Sequence, residues 1–138
     1  MKRISLWVAI AAITVAAGCT DSNYHATAPA VVALTGVYAG SVSGMAASVP
    51  YSSGLTYSLT QSGNAVSGSW STVMGNAGTL NGTITGSAVA FTVVQVTPCT
   101  GSVSGTATIA NAGNTLAGSY AGTMCGQTLS ATFSVTRP

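Results

Sequence analysis

The sequence predicts an all-β domain: an eight-stranded antiparallel up-and-down meander closed into a barrel with an apolar interior. Three observations carry this prediction. From about residue 33 onward, apolar and polar residues alternate with period two, the pattern of strands with one buried face. Short turn signals such as "SGN" (62–64) and "NAGN" (111–114) separate the alternating runs. Glycine recurs on the apolar parity of those runs, as in "LTGVYAGSVSG" near the front and "LAGSYAGTMCG" near the end.

The first strand spans about 33–43, with Leu34, Gly36, Tyr38, Gly40 and Val42 on one face, and a loop containing Pro50 follows it. The second, 54–61, sets Leu55, Tyr57 and Leu59 against Thr56, Ser58 and Thr60. The third, 65–72, sets Val66, Gly68 and Trp70 against three serines, and "MGNAG" (74–78) turns the chain. The fourth, 78–85, carries Leu80, Gly82 and Ile84 on its apolar side. "GSA" leads into the fifth, 88–96, "AVAFTVVQV", which is apolar on both faces in places. The sixth, 100–109, aligns Val103, Gly105, Ala107 and Ile109; the seventh, 115–123, is the second glycine-rich motif. The eighth, 128–136, sets Leu129, Ala131, Phe133 and Val135 against threonines and serines.

Connections this short join antiparallel neighbours. An open eight-stranded sheet would leave two edges free for pairing with other chains, and closure removes them. Gly36, Gly40, Gly68, Gly82, Gly86, Gly105, Gly118 and Gly122 fall on the apolar parity, where they relieve crowding in a tightly curved lumen, let the strands coil and leave space beside the aromatics. A β-sandwich competes, but its long crossovers have little room here. A membrane-spanning barrel would turn the apolar face outward. Short strands and the lack of aromatic girdles favour apolar inward. On this reading the two glycine-rich motifs are the first and seventh staves, near neighbours separated by the eighth.

Composition limits the chemistry. Of 138 residues only 3% are charged, against about 25% in an average protein. Hydrophobic residues make up 47%, which suits a folded core rather than disorder. Beyond Lys2 and Arg3, the chain holds one basic residue, Arg137, one acid, Asp21, and one histidine, His25. With so little field to attract phosphate, no nucleic-acid partner is expected. General acid–base catalysis needs a positioned titratable group, and residues 33–138 contain no Asp, Glu, His or Lys, so no catalytic residue is expected. No metal site or cofactor is expected either, since His25 stands alone.

The first 18 residues have the form of a signal peptide: Met1-Lys2-Arg3, an apolar run from Ile4 to Ala17, then small residues. The run ends in "VAAGC" (15–19), and Ala16-Ala17-Gly18-Cys19 resembles the lipobox of bacterial lipoproteins. That resemblance implies lipidation of Cys19, which becomes the mature N-terminus and anchors the protein in the membrane of the cell envelope. Thr20, rather than aspartate, follows the cysteine, which by the same resemblance implies the outer membrane of a Gram-negative host. Residues 19–32 then serve as a tether ahead of the barrel domain, 33–138. The alternative is an ordinary secretory signal that leaves Cys19 a free thiol.

If Cys19 carries lipid, Cys99 and Cys125 are the remaining pair, and an exported compartment permits a disulfide. In a meander, the start of the sixth strand and the end of the seventh share a rim, so the two cysteines meet there.

Strand number, spacing and the opening segment resemble the avidin and lipocalin group of ligand-binding barrels, the calycins. The resemblance implies a small ligand in the lumen. It does not imply biotin, because Trp70 is the single mid-strand tryptophan and the late aspartate is missing. Tyr38, Tyr57, Trp70, Phe91, Tyr120 and Phe133 share the inward parity and form the expected wall for a small apolar or neutral ligand. The same aromatics also suit a dry core. The second function class is a structural or interaction module whose outer field of Thr and Ser meets glycan or protein.

Overall fold

A computed structural model describes residues 32–138. The signal segment, Cys19 and the tether up to residue 31 lie outside the described residues. Eight strands follow in order: β1 (Gly36–Ala46), β2 (Val49–Ser62), β3 (Ala65–Thr72), β4 (Ala77–Thr85), β5 (Ala88–Thr97), β6 (Gly101–Ala110), β7 (Thr115–Met124) and β8 (Gln127–Thr136). Each pairs antiparallel with the next, and β8 pairs back onto β1 from Ala39↔Thr136 to Ala46↔Leu129, closing the barrel.

The alternation works as its period requires. Tyr38, Val42, Leu55, Tyr57, Val66, Leu80, Phe91, Val103, Phe133 and Val135 are all buried on the inner face. Their sequence neighbours, mostly Thr and Ser, are exposed on the outer wall.

One loop expected from the sequence is absent. Ala47 and Ser48 alone join β1 to β2, at φ 45° and 68°, the left-handed pair a tight hairpin turn requires. Neither residue type advertises that conformation. Pro50 lies within β2, opposite Met45, on a stretch that runs past the last β2–β3 pair, Leu55↔Thr72. The missing amide therefore removes no bond to β3. Gly86 is also reassigned: at φ +60° it belongs to the β4–β5 turn, not to an inner wall.

The inner-face glycines let the strands coil as expected, and the crowding that most of them relieve is with the neighbouring strand's backbone. A methyl group at Gly105 would overlap the Ser119 carbonyl oxygen and approach Tyr120 Cα to 2.7 Å. What it meets first is the backbone of β7 rather than a side chain in the lumen. Glycine here lets one strand coil hard against its neighbour, the curvature that closure of a narrow barrel demands.

The hairpin turns define two ends. β1 begins at one end, with the β2–β3, β4–β5 and β6–β7 turns and the C-terminus of β8. This end is a floor. Leu34 is fully buried there, its amide bonded to Gln61 Oε1 at 2.7 Å. Tyr38 donates its hydroxyl to the Gly113 carbonyl at 2.6 Å and accepts from Arg137 Nη2. Arg137 also donates to the Ala33 carbonyl at 2.8 Å, and its Cζ lies 5.0 Å from the Tyr38 ring centroid.

At the opposite end Cys99 and Cys125 form a disulfide with Cα atoms 5.3 Å apart, joining the β5–β6 and β7–β8 turns as the meander implied. The staves with matching motifs do flank β8, but their tyrosines are not near neighbours. Tyr120 stands opposite Ala131, which stands opposite Gly44, six residues along β1 from Tyr38.

Two stability outcomes follow. Gly105→Ala lowers the unfolding free energy by about 2 kcal/mol, the scale of overpacking, in a urea titration, whereas Ser102→Ala on the outer wall shifts it by less than about 0.5 kcal/mol. Replacing both Cys99 and Cys125 with Ser costs about 3.5 kcal/mol, the chain-entropy value for a crosslink of sequence separation 26.

Candidate functional site

Side chains fill the lumen unevenly. In the floor half, Phe133 is the hub of an aromatic cluster: Tyr57 and Phe91 meet it edge-on with centroids 5.6 and 5.7 Å away. Tyr120 packs over Phe133 at 6.1 Å and tilts by 31°. Leu34, Leu59, Val66, Leu80, Val89 and Leu116 close around them, leaving a void of about 20 Å³ with an apolar lining. That is room for one water at most, with no polar partner to hold it.

Above the aromatic layer the barrel opens into a cup of about 230 Å³ at the disulfide end. Tyr51 and Ser53 of β2, Trp70 of β3, Gln95 of β5, Tyr120 of β7 and Leu129 of β8 line it, with Cys125 at its edge. β2 supplies two of these because it continues beyond β3, so Tyr51 and Ser53 overhang the lumen on the inward parity of Leu55 and Tyr57.

The cup's chemistry is neutral and polar within an apolar wall. Gln95 is 2% exposed, and its amide nitrogen reaches only the sulfurs of Cys99 (3.2 Å) and Cys125 (3.4 Å), which are weak acceptors. Ser53 bonds only the adjacent Gly54 carbonyl at 3.1 Å. Tyr51 Oη is buried without a hydrogen bond; the Tyr120 hydroxyl beside it influences it without reaching bonding geometry. Trp70 is held differently: its indole NH donates to the Val94 carbonyl at 3.2 Å, two strands away. Gly78 on the intervening β4 makes this possible, since a methyl there would sit 2.8 Å from Nε1.

Among the six aromatics expected to bind ligand, Trp70 and Tyr120 line the cup. Tyr57, Phe91 and Phe133 form its base within the packed core, and Tyr38 belongs to the floor. Tyr51, Ser53 and Gln95 were not singled out from the sequence. Gln95 had a signal, being a polar residue on the buried parity of Phe91 and Val93. Tyr51 and Ser53 fall in the loop that the sequence predicts around Pro50.

A broader depression of about 690 Å³ crosses the outer wall over β1, β8, β7 and β6, lined by residues such as Ser43, Ser104, Thr106, Ser119 and Thr132. It is shallow, with hydroxyls open to solvent, and encloses nothing. No cluster of metal-ligating side chains occurs among the described residues. Comparison of the chain with known protein families and with curated proteins yields no match to either.

Burial raises the Tyr57 phenol above its ordinary value of 10.0, and the nearby Tyr51 adds to the effect. Burial likewise raises Tyr120, followed by its contact with Tyr51. Tyr51 is raised by burial, with the Tyr120 contact opposing. These phenols therefore bind protons in the folded state that the unfolded chain releases above about pH 10. The unfolding free energy should hold level below that pH and fall as pH rises beyond it. Urea titrations at stepped pH, followed by tyrosinate absorbance, check this; ionisation of all the folded tyrosines near pH 10 would contradict it.

Proposed function

We propose that the protein is a lipid-anchored component of the cell envelope that holds a small, uncharged ligand in the cup. The observation that carries this reading is the pairing of unfilled space with underused polar groups. Tyr51 Oη is buried in an apolar wall without a partner, where a missing hydrogen bond costs about 1–3 kcal/mol, and the Gln95 amide nitrogen beside it finds only weak sulfur acceptors. A ligand that accepts from Tyr51 and exchanges bonds with the Gln95 amide would relieve it. Trp70, Tyr120 and Leu129 would cover its apolar body.

The size and charge of the cup narrow the ligand class. A volume of 230 Å³ lies below the range of about 300–1,000 Å³ for drug-sized molecules. Among the described residues no charged side chain faces the cup, since Arg137, the one charged residue after residue 31, is at the floor. A charged ligand would lose hydration without finding a counter-charge.

The anchor reading rests on the lipobox-like Ala16-Ala17-Gly18-Cys19. The geometry is compatible with it, because the chain joins β1 at the floor, the end opposite the cup. Localisation to an outer membrane rests on Thr20 after the cysteine. The same shortage of titratable groups supports a binding role rather than catalysis.

A structural or interaction module is the second reading. The outer depression of Ser and Thr, together with the packed floor half of the lumen, favours it.

Native mass spectrometry of the protein recovered from its own envelope separates the two. The binding reading expects a small neutral mass to co-purify and to be lost on unfolding, and the anchor reading expects acyl mass on Cys19. Once the signal is removed, Trp70 is the sole tryptophan, so its fluorescence reports ligand return directly. Gln95→Leu should weaken that binding about ten-fold or more. An empty barrel with Trp70 unresponsive to envelope extracts would favour the interaction module instead.

A further inference from the structure

The cup end carries a second feature that ligand binding does not require. Seven large apolar side chains are exposed among the described residues: Val37, Met45, Val49, Val73, Met74, Val94 and Val96. All but Val37 stand at the cup end. Met45 and Val49 flank the β1–β2 turn, Val73 and Met74 open the β3–β4 turn, and Val94 and Val96 lie on the outer face of the last residues of β5 before the rim. Val73 is 84% exposed, and its amide donates to the Gly54 carbonyl, tying its hairpin to β2. Pro50 and Pro98 add exposed rings at the same level. Three successive hairpin ends thus make an apolar arc around the mouth, while the floor holds the only charged side chain of the described residues.

Clustered apolar exposure on this scale marks a binding surface. We infer that this collar docks on a lipid bilayer, seating the hairpin tips at the headgroup–acyl boundary with the cup opening onto it. Charge favours this occupant. With no ionised group on the arc, immersion strips no charge of its water, and no anionic lipid is required. The chain outside the structure favours it too, and this part of the argument rests on the lipid-anchor reading. The 13 residues from 20 to 32 span up to about 45 Å when extended. Tilted strands of 10 residues give a barrel only about 26 Å tall. A barrel anchored at its floor can therefore turn its mouth onto the same bilayer. The cup then receives its ligand from the membrane interface rather than from bulk water, which adds lipid-partitioning character to the ligand class.

The test separates the collar from the anchor. All strand pairs lie within Gly36–Thr136, so the barrel closes without the preceding residues, and the chain 20–138 lacks Cys19 and any acyl group. Flotation of this chain with phosphatidylcholine vesicles should recover it in the vesicle fraction. Val49→Asp combined with Val73→Asp should reduce the bound-to-free ratio at least ten-fold, and Val37→Asp at the other end should leave it unchanged. All these sites are exposed, and circular dichroism confirms that each variant is folded. The proposal is overturned if the parent chain stays in solution, or if Val37→Asp reduces flotation as much as the double variant. It is also overturned if light scattering finds a dimer that the double variant dissolves while no vesicle binding occurs; the collar is then an interface between copies. Absence of acyl mass on Cys19 in the native protein would sink the anchor alone and leave the vesicle result standing.

Discussion

The fold depends on backbone packing against backbone where the inner face carries glycine. At Gly40 a side chain would overlap the Ser134 carbonyl and the β8 chain; at Gly68 it would meet β2, and at Gly105 it would meet β7. Without these approaches the strands could not coil enough for β8 to return to β1. Closure in turn fixes the lumen's narrow width, so a few aromatic rings suffice to fill half of it. The same constraint makes room for Trp70, whose indole crosses β4 at Gly78 to bond the Val94 carbonyl.

Closure produces one tube, and the placement of polar residues gives it two different ends. At the floor, the Tyr38 hydroxyl lies between Gly113 and Arg137 and Gln61 caps the Leu34 amide, and only Arg137 Nε is buried without a hydrogen bond. Arg137 is held by carbonyl and hydroxyl oxygens and by the Tyr38 ring, with no acidic side chain among the described residues. Toward the mouth, the inner-face series on β5 passes from Val89, Phe91 and Val93 to Gln95, and on β2 from Leu59, Tyr57 and Leu55 to Ser53 and Tyr51. Those polar positions lack strong partners, and there the interior stays open. The disulfide ties two of the four hairpin turns at this end, holding the rim in shape while the cup remains unfilled.

Much of the architecture was legible because its causes are local. Period-two alternation assigns each residue to a face, and a closed meander is the simplest way to satisfy eight such strands without free edges. The Cys99–Cys125 pairing followed from the same topology. What could not be read depended on neighbours distant in sequence. The Ala47–Ser48 turn adopts left-handed angles without the glycine or asparagine that would signal them, so the sequence predicts a loop where Tyr51 and Ser53 overhang the lumen. Parity alone cannot separate a filled half from an empty half, since Tyr38 and Tyr120 share a motif and a face yet stand six register positions apart. The sequence places glycine on the curved inner face, but it does not show how near the adjacent strand's backbone comes.

The seam between β1 and β8 is the most direct test of this account. In a nuclear magnetic resonance study of the folded chain, cross-strand contacts should link Gly40 with Val135 and Gly44 with Ala131. Seam amides should exchange as slowly as those between β4 and β5. Absence of these contacts, with rapid exchange along both β1 and β8, would mean an open sheet and would remove the floor, the cup and the collar together.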